Sequence, residues 1–190
     1  FNTKYILVQD EEGKPMAYFN EEANGNAWFV KELEKVDSAN HEIKLLDSLD
    51  TRNKAIYTYQ SPKEIHKEVP KYPKEVFEID SLAHITLKEV KPNYLKYESD
   101  NSNDGFAVFS EVYYSNGWKS FIDGVEASHI RVNYTLRGMH VPSGKHIIEF
   151  KFDPDVVKTG SEIALASSVI FGILLLGGIF YEFKKRNKSA

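Results

Sequence analysis

The chain of 190 residues contains no cysteine. That absence excludes a disulfide framework and any thiolate metal site. The chain also lacks an excess of positive charge. Its 24 basic and 28 acidic side chains leave a net charge of −4, which argues against a nucleic-acid module. The short motifs of common catalysts are missing too: no G-x-S-x-G, P-loop or G-x-G-x-x-G run occurs. Gly144-Lys145-His146 lacks the preceding glycine and the Ser or Thr of a phosphate loop. His41-Glu42 begins like a zinc-protease motif, but the second histidine is replaced by Leu45. The six histidines are scattered and no repeat of solenoid period is present. No cofactor and no resident metal are expected. Disorder is excluded in turn, because 42% of the residues are hydrophobic and 13% aromatic.

These averages hide an asymmetry. Residues 163–181 (IALASSVIFGILLLGGIFY) form a run of 19 residues without a charge. At about 1.5 Å per residue, a helix of that length nearly spans a hydrocarbon layer of about 30 Å. Phe180, Tyr181 and Phe183 sit where an aromatic belt would lie, and Lys184, Lys185, Arg186 and Lys188 follow. The positive-inside tendency predicts that this end is cytoplasmic. Thr159 and Glu162 have the spacing of a capping box at the other end. Gly160, Ala164, Ser168 and Gly172 recur every four residues, a stripe that admits a second helix at close range. With the tail inside, residues 1–160 lie outside. The chain opens on Phe1 with no signal segment, so the expectation is a C-terminal piece of a larger polytopic protein, with membrane segments upstream.

Residues 1–160 carry a net charge of −6, which disfavours adhesion to anionic lipid or nucleic acid. Residues 1–60 read as a small α/β segment. Strands are expected at 4–9 and 15–19 around a Glu12-Gly13 turn, at 27–36, and at 55–59. Ser38 is placed to cap a helix through about Leu49 with Ile43, Leu45, Leu46 and Leu49 as its apolar stripe. Residues 61–78, punctuated by Pro62, Pro70 and Pro73, read as a linker or surface excursion. Residues 79–157 read as an antiparallel β-sandwich, jelly-roll-like. Strands are expected at 83–90, 94–99, 106–114, 118–122, 129–137, 139–141 and 146–152, with Asp123-Gly124 as a tight turn. Residues 158–190 complete the chain as a transmembrane helix and basic tail. The fold class is therefore mainly β (α+β).

Two groups of residues carry possible chemistry. Asp100, Ser102, Asp104 and Glu111 fall at positions 1, 3, 5 and 12 of an EF-hand-like loop, with Gly105 at position 6. They form a weak calcium alternative, because the flanks read as strands rather than helices. Tyr113, Tyr114, Trp118, Asp123, Arg131, Tyr134 and Arg137 lie close together in sequence. Aromatic faces with nearby Arg and Asp groups suit a sugar; equally they suit core and cross-strand pairs of a sandwich. Asn133-Tyr134-Thr135 is a glycosylation sequon placed inside an expected strand.

At these residues the chain resembles a known family. Phe109-Ser110-Glu111-Val112-Tyr113-Tyr114, Gly117-Trp118-Lys119, Ile122-Asp123-Gly124, Arg131-Val132-Asn133-Tyr134, Arg137-Gly138 and Val141-Pro142-Ser143-Gly144-Lys145-His146 are similar to the C-terminal extracytoplasmic domain of YfhO-family bacterial membrane proteins. Lys4-Tyr5-Ile6-Leu7 and Gly25-Asn26-Ala27-Trp28-Phe29-Val30 look like earlier segments of that family. The resemblance implies C-type glycosyltransferases of the bacterial inner membrane, which move sugar from a polyprenyl-phosphate donor to a cell-envelope glycopolymer. The catalytic acid is implied in a region outside this chain, so no catalytic residue is carried onto it. The implied partners are the lipid bilayer, upstream helices of the same protein and a cell-envelope glycan. The alternatives are a membrane-anchored glycan-binding module, or a structural or interaction module beside a membrane partner.

Overall fold

A computed structural model describes residues 2–58 and 74–187. The chain is an antiparallel β-sandwich with a small α/β part and one C-terminal apolar helix, and it divides after Phe152 into a β-rich unit and the helix. The β-rich unit opens with a hairpin, β1 (Tyr5–Gln9) and β2 (Pro15–Phe19), which forms a two-stranded sheet by itself. Its turn uses Gly13 at φ 77°, a conformation that favours glycine. Next come β3 (Ala27–Val30) and β4 (Glu32–Lys35), α1 (Ala39–Leu45), β5 (Lys54–Tyr57) and β6 (Lys74–Val76). The long strands follow: β7 (His84–Lys91), β8 (Tyr94–Asn101), β9 (Gly105–Val112), β10 (Trp118–Ile122), β11 (Val125–Ala127), β12 (Ile130–Val132), β13 (Leu136–Val141) and β14 (Gly144–Phe152).

The strands build three layers. A five-stranded sheet runs β11-β10-β14-β8-β7, a four-stranded sheet runs β12-β13-β9-β3, and a three-stranded sheet runs β5-β4-β6. The central sheet is covered on both sides, and its sequence says why. Residues 106–109 (FAVF) are all buried, as a strand with two apolar faces requires. Ala107 and Phe109 face a core with Tyr97, Ile148 and Phe150. Phe106 and Val108 face a second core with Val30, Leu33, Ala55, Tyr57 and Val132. Burial of each large side chain contributes about 1.5–3 kcal/mol. An exposed ion pair contributes about 0–1 kcal/mol, so the two cores hold the layers together.

Several expected elements change shape. The strand expected at 27–36 breaks at Lys31, because β3 pairs with β9 while β4 pairs with β5 and β6 in another sheet. The strand expected at 129–137 breaks into β12 and β13 around a three-residue loop with Asn133 at φ 48° and Tyr134 at φ 69°. Ser38 caps α1 by accepting from the His41 amide at 3.2 Å. The helix ends at Leu45, and its buried residue is Glu42 rather than the apolar stripe; Ile43 is 45% exposed. Of the expected linker, 61–73 lies outside the described residues, and 74–76 is β6, paired antiparallel with β4.

The second unit is α2 (Asp155–Arg186), 32 residues, or about 48 Å long. It starts four residues before Thr159, so Thr159 and Glu162 lie inside it and form no capping box. Pro154 directly precedes the helix and Asp155 opens its first turn, which suits the pre-set proline φ and the positive helix end. Over Asp155–Tyr181 the helix is long enough, and by composition apolar enough, to cross a membrane. Ser167 and Ser168 donate back to the carbonyls of Ile163 and Ala164, both at 2.8 Å. Their hydroxyls are thereby satisfied inside the helix, as a lipid environment demands.

Candidate functional site

The seven aromatic, Arg and Asp residues singled out in the sequence separate into distinct places. Trp118 and Arg137 go inward. From β13, the Arg137 guanidinium lies 4.2 Å from the Trp118 ring centre and 5.2 Å from that of Phe150, and Nε donates to the Val112 carbonyl at 3.1 Å. Arg137 is 2% exposed. Burial pulls its pKa down, while Glu111 and Tyr97 pull it up. Stacking between rings replaces part of the lost hydration. Tyr113 packs edge-on against His129 at 5.6 Å, beside the same stack. The Ser120 hydroxyl donates to the Ala127 carbonyl at 2.5 Å, so His129 Nδ1, 2.7 Å from that hydroxyl, is the donor in their contact. Tyr114, just beyond β9, is 52% exposed.

Arg131 and Tyr134 belong to a second place, where the β12–β13 loop meets α1. Glu42, fully buried, accepts from Arg131 Nη2 at 2.8 Å and from the Tyr134 amide at 2.7 Å. Burial pushes its carboxyl up from the ordinary value, against the lowering by the Tyr134 amide and the Arg131 cation. The Arg131 guanidinium sits 5.3 Å from the Tyr134 ring. Asn133 ties the same loop to β5. Its amide donates to the Ile56 carbonyl at 2.8 Å, and its side-chain oxygen accepts from the Ile56 amide at 2.9 Å. The sequon asparagine is therefore 5% exposed. Glu42, seen in sequence only as a fragment of a metalloprotease motif, is the anchor that fastens helix to hairpin.

Asp123 marks a third place. It sits at φ 50° with Gly124 at φ 81° in the two-residue turn between β10 and β11, the geometry Asp-Gly favours. Its Oδ1 accepts from the Ile147 amide at 2.8 Å, and its Oδ2 lies 2.6 Å from His146 Nδ1. His146 Nε2 lies 3.1 Å from the Ser143 carbonyl. A carboxylate on one nitrogen and a carbonyl on the other both favour the protonated ring. Accordingly His146 is raised, chiefly by Asp123, and Asp123 is lowered, chiefly by His146. Both ring nitrogens are engaged, so the pair pins β14 to the turn rather than shuttling protons.

The turn borders an open cleft of about 430 Å³ over β7, β8 and β14 of the five-stranded sheet. His84, Lys88, Glu98, Asp100 and Lys145 line it. Lys88 pairs with Glu98 at 3.1 Å and Lys145 with Asp100 at 3.5 Å. Cations and carboxylates thus alternate across three strands, a wall of paired donors and acceptors. Asp100, Asp123 and Lys145 stand in motifs of the sequence, but none of those motifs points to a cleft. Strand period 2 puts 84, 86 and 88 on one face, but only the β7–β8–β14 register brings them beside 98, 100 and 145.

The calcium-loop alternative lands on the connection from β8 to β9, which passes from one sheet to the next. Asp100 faces Lys145, the Ser102 hydroxyl donates to Asp80 at 2.6 Å, and Asp104 accepts from the Ser143 amide at 2.8 Å. Glu111 lies at the far end of β9, in the neighbouring sheet. Among the described residues, no three His, Asp or Glu side chains gather as a metal would require. No family model, no curated protein and no solved structure matches the chain.

Proposed function

We propose that this chain is a non-catalytic β-sandwich domain held on the outer face of a bacterial inner membrane, acting beside the membrane core of a polyprenyl-phosphate-sugar-dependent glycosyltransferase. One observation carries the reading. The last strand ends at Phe152, and α2, whose uncharged run 163–181 is long enough to cross a membrane, begins at Asp155, so only two residues link the last strand to the helix. The basic residues after Tyr181 favour a cytoplasmic tail, and the motif resemblance to YfhO-family proteins supports the choice of chemistry. Gly160, Ala164, Ser168 and Gly172 then form the face on which neighbouring membrane helices pack. In membranes supplied with a polyprenyl-phosphate sugar, the chain alone should transfer no sugar to acceptor glycan. Transfer by the chain alone would overturn the reading. Replacing Ala164, Ser168 and Gly172 by Leu should release it from its membrane complex, and an unchanged complex would count against the packing face.

The cleft favours a second reading, a membrane-anchored glycan-binding module. Paired lysines and carboxylates present donors and acceptors side by side, the groups that hydroxyl-rich ligands engage. Titration of the purified chain with cell-envelope glycan fragments should then shift the amide signals of β7, β8 and β14. Shifts confined to Tyr113, Tyr114 and Tyr134 would move the site away from the cleft.

A further inference from the structure

The N-terminal hairpin has no partner among the described residues. Both of its faces are apolar and exposed: Tyr5, Leu7 and Phe19 on one, Ile6, Val8, Met16 and Tyr18 on the other. Leu7 is 77% exposed. A lone two-stranded hairpin is marginal in water and gains independent stability from further strands. Lipid cannot supply them, because its hydrocarbon satisfies no open strand edge.

The two edges are not equivalent. The Asp10 amide bonds the Lys14 carbonyl and the Asn20 amide bonds the Lys4 carbonyl. In an antiparallel ladder this alternation turns Ile6 and Val8 toward β2, and leaves the amides and carbonyls of Tyr5, Leu7 and Gln9 facing outward. On β2 the outward positions are Pro15, Ala17 and Phe19, and Pro15 has no N–H to give. So one edge is competent to pair and the other is blunted. The contrast with β7, a longer sheet edge, is informative. That strand carries Lys88, Lys91 and a bulge between Leu87 and Glu89, the usual protections of an edge. Residues 5–9 carry no charge, no proline and no bulge.

We propose that β1 pairs antiparallel with β1 of a second copy of this chain, about a two-fold axis through Leu7. The outward-facing residues then meet one another, Leu7 against Leu7 of the second copy and Tyr5 against Gln9 of the second copy. In the same register Lys4 comes opposite Asp10 of the second copy, twice by symmetry, so the charges are complementary. The product is a four-stranded sheet whose outer edges are both the proline-bearing β2. It closes as a dimer instead of growing into a filament.

The absence of native cysteine makes the test direct. Residues facing each other as a hydrogen-bonded pair have Cα atoms about 5.5 Å apart, inside the disulfide range of about 4.4–6.8 Å. The chain carrying Leu7→Cys, in lipid bilayers and under mild oxidation, should run as a disulfide-linked dimer. Ala17→Cys, the matching position on the blunted edge, should stay monomeric. Lys4→Gln and Asp10→Asn should each lower the Leu7→Cys dimer fraction about threefold, with the double substitution no worse than either single one. Asn at 10 preserves an acceptor for the turn amides of Glu12 and Lys14. Equal cross-linking at positions 7 and 17 overturns the proposal. So does a Leu7→Cys monomer when Ser168→Cys cross-links, because the copies would then meet only through their helices.

Discussion

Glu42 should be the costliest single side chain to remove from the β-rich unit. It is fully buried and bonds two groups of the β12–β13 loop, Arg131 Nη2 and the Tyr134 amide. Glu42→Ala leaves Arg131, whose side chain is 12% exposed, as a cation without its counter-charge. Breaking a buried pair in this way costs about 3–5 kcal/mol. In a chain of this size about 2–4 °C of melting temperature goes with each kcal/mol, so thermal unfolding in detergent should fall by roughly 6–20 °C. Trp28 and Trp118 supply the fluorescence signal. Glu42→Gln should fall between, because the amide oxygen can still accept from Tyr134 while its NH₂ meets the Arg131 donor. The double change Glu42→Met with Arg131→Met should be less damaging than Glu42→Ala, since it removes both charges together. A Glu42→Ala loss of less than about 1 kcal/mol would refute the reasoning, as that is the worth of a surface pair.

Three further outcomes follow from the same geometry. A methyl group at Gly138 would lie 2.6 Å from the Phe106 ring and 3.0 Å from Val132, so Gly138→Ala should destabilise by about 1–3 kcal/mol in urea unfolding. His146 should titrate above its ordinary 6.5 by NMR, since Asp123 favours its charged form; Asp123→Asn should bring the midpoint down, and a wild-type midpoint at or below 6.5 would contradict the pairing. Its stabilising effect is fully present below 6.5 and fades as pH rises through the raised His146 value. On the acid side, Asp123's share, lowered from 3.8, is present above that value and lost as pH falls through the lowered one.

The sandwich was legible where local and global signals agree. The aromatic run from Phe106 reads as a strand and Asp123-Gly124 as a tight turn, and both form as expected. The apolar run before the lysines reads as a span for the same reason. Other features depend on partners far away in sequence. Asn133 and Tyr134 adopt left-handed angles with no glycine to announce them, held by Ile56 and Glu42. The break at Lys31 reflects two different sheets competing for one segment. The expected sugar cluster rests on proximity in sequence alone. Strand alternation sends Trp118 and Arg137 inward beside Phe150, and the hairpin carries Arg131 and Tyr134 to α1. The cleft as a unit has no sequence signal, because its lining comes from three strands whose register only the fold sets.

The proposed attachment of the sandwich outside the membrane is most directly tested by cysteine accessibility in intact bacterial cells, using a membrane-impermeant maleimide. Leu82→Cys, at a position 79% exposed on the β-rich unit, should label in intact cells, and Asn187→Cys, beyond α2, should label only after permeabilisation. The reverse pattern, or labelling of both positions without permeabilisation, would contradict a single span with the sandwich outside.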